Sequence, residues 1–196
     1  MFFQDKTLLL VGYGISTRGV ISFFERHKEY NVNLYLYDDN IDKIHNIENI
    51  AKVEKIEEID NLKIDYAMLS PSVHIQNNPH PIVANLKKNK IAYLSDLDIL
   101  LELLNNQKNK VLIGITGTNG KSTTTALVYH ILKSEYGEYN VSCGGNIGIS
   151  LLELNLNAKY FVFELSSYQL ALTKNLKLDY GCLLNITPDH LDYHGS

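Results

Sequence analysis

The sequence predicts an α/β protein made of two successive parallel-sheet halves. Three observations carry this. Short apolar runs alternate with helix-like stretches along the 196 residues, the order that gives parallel strands covered on both faces. The run Val111 to Ile115 opens onto Thr116-Gly117-Thr118-Asn119-Gly120-Lys121-Ser122-Thr123 and then onto a helical stretch. Much earlier, Thr7 to Val11 opens in the same way onto Gly12-Tyr13-Gly14.

The elements follow in order. Thr7 to Val11 is a strand, and after its glycines Val20, Phe23, Phe24 and His27 recur at helical spacing. Val32 to Tyr37 is a second strand, closed by Asp38-Asp39. The charge-rich stretch Lys52 to Lys63 reads as a solvated helix or loop. Tyr66 to Leu69 is a third strand, stopped by Ser70-Pro71. Ile82 to Asn89 reads as a helix started by Pro81, whose fixed φ suits a first helical position. Ile91 to Leu94 is a fourth strand, and Ser95 caps a helix over Asp96 to Leu104, with Asp98 at its third position.

Asn105 to Lys110 is polar and reads as an interdomain linker. This divides the chain into residues 1–106 and 107–196. The second half repeats the pattern: strand Val111–Ile115, helix Thr124–Lys133, strand Asn140–Cys143, the turn Gly144-Gly145-Asn146-Ile147-Gly148, and strands Tyr160–Leu165 and Tyr180–Asn185.

Composition narrows the function. A hydrophobic content of 45% supplies a core, and a net charge of −4 without a basic stretch beyond Lys87-Lys88-Asn89-Lys90 argues against nucleic acid as a partner. The start lacks a secretory signal pattern, and no apolar run is long enough to span a bilayer. Cys143 and Cys182 form no C-x-x-C pair and read as buried, reduced thiols, which fits a cytoplasmic enzyme.

The loop after Val111–Ile115 has the chemistry of a phosphate cradle. Its glycines let backbone N–H groups turn toward an anion, and the following helix N-terminus adds partial positive charge. Lys121 reaches β- and γ-phosphates from there, and the Ser122 or Thr123 hydroxyl is placed to hold Mg²⁺. The ligand this implies is ATP, held by Gly117, Thr118, Asn119, Gly120, Lys121, Ser122 and Thr123. The spacing departs from the strict phosphate-loop pattern, because Ile115 stands where the first glycine would be.

Gly12-Tyr13-Gly14 resembles the opening of a dinucleotide fingerprint, with Thr17 in place of the third glycine. Asp38, 24 residues after Gly14, ends the second strand, where a carboxylate meets a ribose or base. The first half is therefore Rossmann-like, and these residues leave open whether its ligand is NAD or another nucleotide. In the second half, Glu164 ends an apolar strand. A buried carboxylate needs a cation or donor, and Mg²⁺ is the natural partner. His190 stands four residues before His194. Without an H-E-x-x-H pattern or a third ligand, His190 is better read beside a Mg²⁺–phosphate centre than as half of a zinc site, and His194 as a surface residue.

Taken together, these segments resemble the Mur ligase family, most of all its D-glutamate-adding branch. Gly12 to Ser16 resembles the family's UDP loop and Ser70-Pro71 its "SPG" turn, with Ser72 in place of the glycine. Thr116 to Thr123 resembles its ATP loop, which folylpolyglutamate synthases share. Gly144 to Gly148, Glu164 to Leu170 and Asn185 to Asp192 resemble segments of the D-glutamate-adding branch. The resemblance implies a Rossmann-like UDP-substrate domain over 1–106 and the first part of a P-loop-type ATP domain over 107–196. Members are about twice this length; a lysine beside a second Mg²⁺, some residues beyond the His190 segment, and separately the amino-acid-binding domain that closes over ATP, would both lie past residue 196.

The implied reaction joins D-glutamate to UDP-N-acetylmuramoyl-L-alanine through an acyl phosphate, at the expense of ATP, in peptidoglycan synthesis. By the same resemblance Lys121, Glu164 and His190 are catalytic, and Ser122, Thr123, Glu164 and His190 hold Mg²⁺. Ile15, Ser16, Asp38 and Ser70 hold the uridine diphosphate part, while Asn146, Ser166 and Gln169 contact the sugar-peptide. The protein is expected to act as a monomer, and this segment alone is expected to be inactive. The other readings are a related amide ligase, a non-catalytic nucleotide-binding module, and an NAD-dependent oxidoreductase. The imperfect first glycine pattern and the second phosphate loop count against the last.

Overall fold

The computed structural model describes residues 2–105, 107–146 and 148–195. Contacts divide the chain into two compact units, Met1–Asp96 with Asp192–Gly195, and Leu97–Leu191. The boundary expected at 106/107 is a different line through the chain, and Asn106 of the expected linker lies outside the described residues.

The first unit holds β1 (Thr7–Val11), α1 (Ile15–Arg26), β2 (Asn33–Tyr37), β3 (Ala51–Lys52), β4 (Tyr66–Leu69), α2 (Pro81–Lys88) and β5 (Ala92–Leu94). All five strands are parallel, in the order β3-β2-β1-β4-β5. β1 is central, and Leu8, Leu9 and Leu10 are completely buried. A parallel strand covered on both faces has no polar side to show, so its sequence is a continuous apolar run rather than an alternating one. α1 lays Val20, Phe23 and Phe24 into the core, and Phe3 meets Phe24 edge-on at 5.9 Å. Chain order reverses at β1, with β2 on one side and β4 on the other. In open α/β sheets a ligand crevice forms at such a switch, beyond the carboxyl ends of the strands. The loops after β1 and β4, which carry Gly12-Tyr13-Gly14 and Ser70-Pro71, lie there.

The stretch expected as a solvated helix or loop is a 3₁₀ helix over Ile56–Asn61 that buries Ile59. Its Asp60 accepts hydrogen bonds from Asn85 (2.9 Å), Asn89 (2.7 Å) and Lys88 of or beside α2. These contacts, that of Lys88 first, hold the Asp60 carboxyl down at about 2. β3 has only two residues and no sequence signal.

The second unit holds α3 (Asp96–Leu104) from Leu97 onward, β6 (Val111–Thr116), α4 (Lys121–Tyr136), β7 (Val141–Gly145), β8 (Tyr160–Glu164), α5 (Ser167–Leu172) and β9 (Tyr180–Leu183). Its strands are also all parallel, in the order β7-β8-β6-β9. α3 belongs with this unit partly because Asp98 Oδ1 accepts the N–H of Lys174 at 3.2 Å. Phe161, Val162 and Phe163 are fully buried in β8. All four residues of β9 are exposed, and among the described residues β9 pairs with β6 alone. Cys182, expected buried, is therefore exposed, while Cys143 on β7 is half-buried. Leu127 and Ile131 of α4, one turn apart, are also exposed.

The last element, α6 (Leu191–His194), is largely part of the first unit. Tyr193 is completely buried there, its ring 4.8 Å from His74 and its carbonyl accepting from Asn77 Nδ2 at 3.1 Å. His194, expected at the surface, is half-buried with its ring 4.8 Å from Tyr193.

The Asp60 cluster yields a pH prediction. Its folded-state pKa lies below the ordinary carboxylate value, so its stabilisation is present above pH ~4 and is lost as pH falls through about 2. Asp60→Asn should lower the melting temperature at pH 7 by a small amount that shrinks in high salt, because the site is exposed. The variant should then lose less stability than the wild type between pH 4 and pH 2. Thermal melts across that range, with and without salt, check both statements.

Candidate functional site: a phosphate loop and a buried carboxylate in the second unit

The helix α4 begins three residues earlier than its apolar pattern suggested. Gly120 takes the left-handed conformation (φ 85°) as its N-cap, so Lys121 is the first helical residue and Ser122 and Thr123 lie in the first turn. This leaves the early amides of α4 without intrahelical partners beside the loop, and Ser122 and Thr123 are exposed there. Gly117 also has positive φ (141°), and a Cβ there would sit 3.1 Å from the backbone of Asn185.

That approach belongs to a set of ties between the loop and the segment after β9. Asn119 N–H donates to Asn185 Oδ1 (2.9 Å), and Asn185 Nδ2 donates back to the Asn119 carbonyl (2.9 Å). Thr118 N–H donates to the Asn185 carbonyl at 3.1 Å. The Thr118 hydroxyl donates to the Thr187 carbonyl (3.1 Å) and accepts from Thr187 N–H (3.0 Å). Lys121 folds back across the loop, donating to the carbonyls of Gly117 (2.7 Å) and Thr118 (3.0 Å). A phosphate brought into the loop would compete with those carbonyls for the ammonium.

Glu164 ends β8, in register with Ile115 of β6 and Gly145 of β7. It is 1% exposed. Oε1 accepts from Asn146 Nδ2 at 2.8 Å, and Asn146 N–H donates to the Glu164 carbonyl at 2.9 Å. Oε2 is buried and has no hydrogen-bond partner among the described residues. The half-buried thiol of Cys143 is pushed up by desolvation and then by the negative charge of Glu164, which keeps it protonated.

A buried carboxylate oxygen without a donor is costly unless a cation meets it. That fits Mg²⁺, which accepts one or two protein oxygens and takes the rest from phosphate and water. Among the described residues no group of three or more His, Cys, Asp or Glu is placed to hold a metal. A Mg²⁺ meeting Glu164 would therefore take its remaining oxygens from groups other than carboxylates.

The other expected site residues fall into two groups. His190, in the left-handed conformation (φ 50°), is exposed; its ring lies 4.7 Å from that of Tyr168, and its N–H donates to Asp189 Oδ1. Ser166 and Gln169 are buried and close a capping box on α5. Gln169 N–H donates to Ser166 Oγ (3.2 Å), and Ser166 N–H donates to Gln169 Oε1 (3.1 Å). Asn146 braces Glu164 as described, while Ile147 of its turn lies outside the described residues.

In the first unit, Ile15 is 58% exposed at the start of α1, Ser16 is half-buried, and Ser70 is buried. A Cβ on Gly12 would come within 2.9 Å of Ser70 Cβ, so the loops after β1 and β4 touch only because Gly12 has none. Thr17, the residue in place of the third fingerprint glycine, is fully buried and donates its hydroxyl to the Gly12 carbonyl. Asp38 accepts from Tyr13 N–H (2.8 Å) and Asn40 N–H (2.9 Å), with Lys43 Nζ at 3.7 Å. A cavity of about 850 Å³ in this unit, lined in part by Thr7, Asn33, Ala51 and Lys63, lies at the amino ends of β1, β2 and β3, away from these loops.

Sequence reasoning missed two residues of this architecture. Asn185 was read only as part of a segment, and a polar residue ending an exposed apolar strand was its one available signal. His80, described below, preceded a helix-starting proline, which is the N-cap position.

The fold defines a parallel-sheet α/β protein whose second unit carries a glycine-bordered loop leading into a helix N-terminus. Comparison with known proteins carries this further. Residues 115–196 match the Mur ligase middle domain. The chain is 38% identical over 185 residues, 93% of its length, to a UDP-N-acetylmuramoylalanine–D-glutamate ligase of Rickettsia conorii, and covers 35% of that protein. It is 46% identical over 134 residues, 68% of its length, to the protein of the same name from Wolbachia pipientis wMel, covering 25% of it. Among solved structures, a UDP-N-acetylmuramate:L-alanyl-γ-D-glutamyl-meso-diaminopimelate ligase from Neisseria meningitides matches with a TM-score of 0.56 and 18% identity, over 96% of this chain and 63% of that one. A murein peptide ligase from Psychrobacter arcticus gives 0.56 and 16%, over 95% of this chain and 44% of that one. These two likenesses show the fold.

The chain belongs to the Mur ligase family. It matches about a third or less of the length of the curated relatives above, so they exceed this chain by more than the expected doubling.

The ties between Asn185 and Asn119 predict that Asn185→Ala loosens the phosphate loop without touching Lys121. Two hydrogen bonds at a partly exposed site are together worth about 1–2 kcal/mol. Amide hydrogen exchange at Thr118 and Asn119 should accelerate about tenfold, with β8 amides unchanged. Equal protection in the variant would contradict the assigned ties.

Proposed function

We propose that this chain is part of an ATP-dependent ligase that adds D-glutamate to UDP-N-acetylmuramoyl-L-alanine. The first half, residues 1–106, holds the uridine diphosphate portion, and the second, 107–196, holds ATP. The observation that carries the reading is the orphaned, buried Oε2 of Glu164, in a second unit whose glycine-bordered loop ends in a lysine at a helix start. The names of the two D-glutamate ligases that share 38% and 46% identity support the choice of amino acid.

The chemistry follows from the residues. Joining a carboxylate to a triphosphate brings two anions together, so charge neutralisation and positioning carry most of the catalysis. Loop amides and the amino end of α4 receive the β-phosphate. Lys121 exchanges its two carbonyl partners for phosphate oxygens and draws charge toward the transferring group. Ser122 or Thr123 and Glu164 would hold Mg²⁺, with His190 beside a second ion. A bound Mg²⁺ would neutralise the oxygens between which the phosphoryl group breaks away. The substrate carboxylate attacks the γ-phosphorus, ADP leaves, and the resulting acyl phosphate is opened by the D-glutamate amine to give the amide and phosphate.

Asn146 keeps Glu164 oriented through its amide, and it faces the sugar-peptide together with the α5 entrance formed by Ser166 and Gln169. In the first half, Ile15 and Ser16 at the start of α1, Asp38 after β2 and Ser70 after β4 surround the uridine diphosphate. The reading makes the protein a cytoplasmic monomer. No described helix is long and apolar enough to cross a membrane.

The test separates the two ligands. Lys121→Ala should lower Mg·ATP affinity by about 1.5–3 kcal/mol, at least about tenfold, by removing a charge-assisted contact, and leave uridine diphosphate binding unchanged. Glu164→Gln should retain the Asn146 contact and ATP binding without metal, but lose the gain in ATP affinity that Mg²⁺ confers. Calorimetry with ATP, Mg·ATP and uridine diphosphate reads all three. Unchanged Mg·ATP affinity in Lys121→Ala would overturn the loop assignment. A second expectation is that residues 1–196 alone incorporate no D-glutamate; measurable incorporation would refute it.

A further inference from the structure

The loop after β2 holds an arrangement that the ligase reading leaves unused. Asp39 follows Asp38 directly. Its Oδ1 accepts the hydroxyl of Tyr37 at 2.8 Å, and both its oxygens lie 3.0 Å from Nε2 of His80. His80 is the N-cap of α2, and its other ring nitrogen, Nδ1, accepts the N–H of Ile82 at 3.2 Å. Accepting at Nδ1 requires a lone pair there, so the ring carries its proton on Nε2 and donates it to Asp39. One imidazole therefore both starts a helix and grips a loop 41 residues earlier. The Tyr37 hydroxyl is pushed up to about 12 by burial and then by Asp39, so it stays a donor to that carboxylate throughout the neutral range.

The neighbour of this clamp is the part of the first unit expected to face a nucleotide. Asp38 has one oxygen on Tyr13 N–H of the glycine loop and the other on Asn40 N–H. The three residues Asp38, Asp39 and Asn40 thus have one attachment to the loop after β1 and one, through Asp39, to the entry of α2. Asp39 is itself 66% exposed at its side chain. An exposed hydrogen bond from a neutral imidazole to a carboxylate contributes little to global stability, which leaves loop geometry as what this one sets.

We propose that His80 is a positioning residue for the nucleotide-facing loop Asp38–Asn40, fixing it through its Nε2–Asp39 contact. The proposal rests on the reading that the first half binds the uridine diphosphate portion of the substrate. The ring's two nitrogens have separable duties, and two amide replacements divide them. Asn reproduces the Nδ1 position and is a favoured N-cap, but is too short to reach Asp39. Gln reproduces the Nε2 position and its donor, but places no acceptor at Nδ1.

The experiment is calorimetric titration of the chain with uridine diphosphate, with a thermal melt of each variant. His80→Asn should keep the melting temperature and lose about five- to tenfold in affinity. His80→Gln should melt earlier yet bind within about twofold of wild type. Asp39→Ala should match His80→Asn, and the double variant should be no weaker than either single one, the non-additivity expected of a shared contact. The reverse pattern, with Asn harmless to affinity and Gln costly, would reduce His80 to a helix cap and overturn the proposal, as would additive losses in the double variant. If the wild-type chain itself binds no uridine diphosphate, the reading of the first half fails and the positioning role falls with it. Binding by the wild type with unaltered affinity in both His80→Asn and Asp39→Ala overturns the positioning role alone.

Discussion

The carboxylate of Glu164 constrains the second unit more than any other group. It ends a strand whose three preceding residues are fully buried, between two parallel neighbours, where water cannot solvate it. A charge in that position survives only if something answers each oxygen. Asn146 answers one, and the turn that carries Asn146 is pinned by its own N–H on the Glu164 carbonyl. Gly145 makes this possible: a Cβ there would lie 2.2 Å from the Glu164 carbonyl oxygen. The strand order β7-β8-β6 places the end of β8 beside that of β6, where the glycine-bordered loop starts.

Much of this arrangement was legible in the sequence because it rests on local signals. β1, β2, β4 and β5 appear within one residue of expectation, since buried parallel strands leave long apolar runs. The loop from Thr116 to Thr123 and the acidic strand end at Glu164 were visible for the same reason: polar residues interrupt apolar runs where the backbone turns. What escaped depended on tertiary contact. β3 pairs through two residues and has no pattern of its own. The 3₁₀ helix over Ile56–Asn61 hides one buried isoleucine among charges, and the charges dominated the reading. α4 starts at Lys121 because Gly120 supplies a left-handed cap, whereas the apolar period begins only with the residues that touch the sheet. The line between units runs ahead of α3 rather than behind it, because α3 is tied to a residue 76 positions later through Asp98.

The residues expected at the sites show a second limit: the backbone bonds several of them make were not readable in the sequence. Asp38 braces two amides, Ser166 and Gln169 close a capping box, and Lys121 spans two carbonyls. Residue type alone does not distinguish a side chain that meets a ligand from one that shapes the loop meeting it, because Asp, Ser, Gln and Lys serve both ends with the same atoms. Thr17 is the clearest instance. In the sequence it stands only as a departure from a glycine pattern; folded, its hydroxyl satisfies the carbonyl of Gly12 and so ties the helix start to that loop.

This double use has an energetic consequence. A ligand that recruits Lys121 must first take it from two good hydrogen bonds, so the net gain is the difference between phosphate and carbonyl partners rather than the full strength of the new contact. The carbonyls of Gly117 and Thr118 then need other donors. Those of Asn119 and Asn185 are held by reciprocal side-chain and backbone bonds that do not involve the lysine. The loop therefore keeps its shape when the ammonium leaves, and the reorganisation is confined to one side chain. In the first unit Asp38 is anchored by backbone amides on both oxygens, so its carboxylate is held in place by the fold itself. On the proposed reading, one site would move a charge on a rigid loop and the other would present a charge already locked, which would suit a phosphate that must be transferred and a uridine that must only be held.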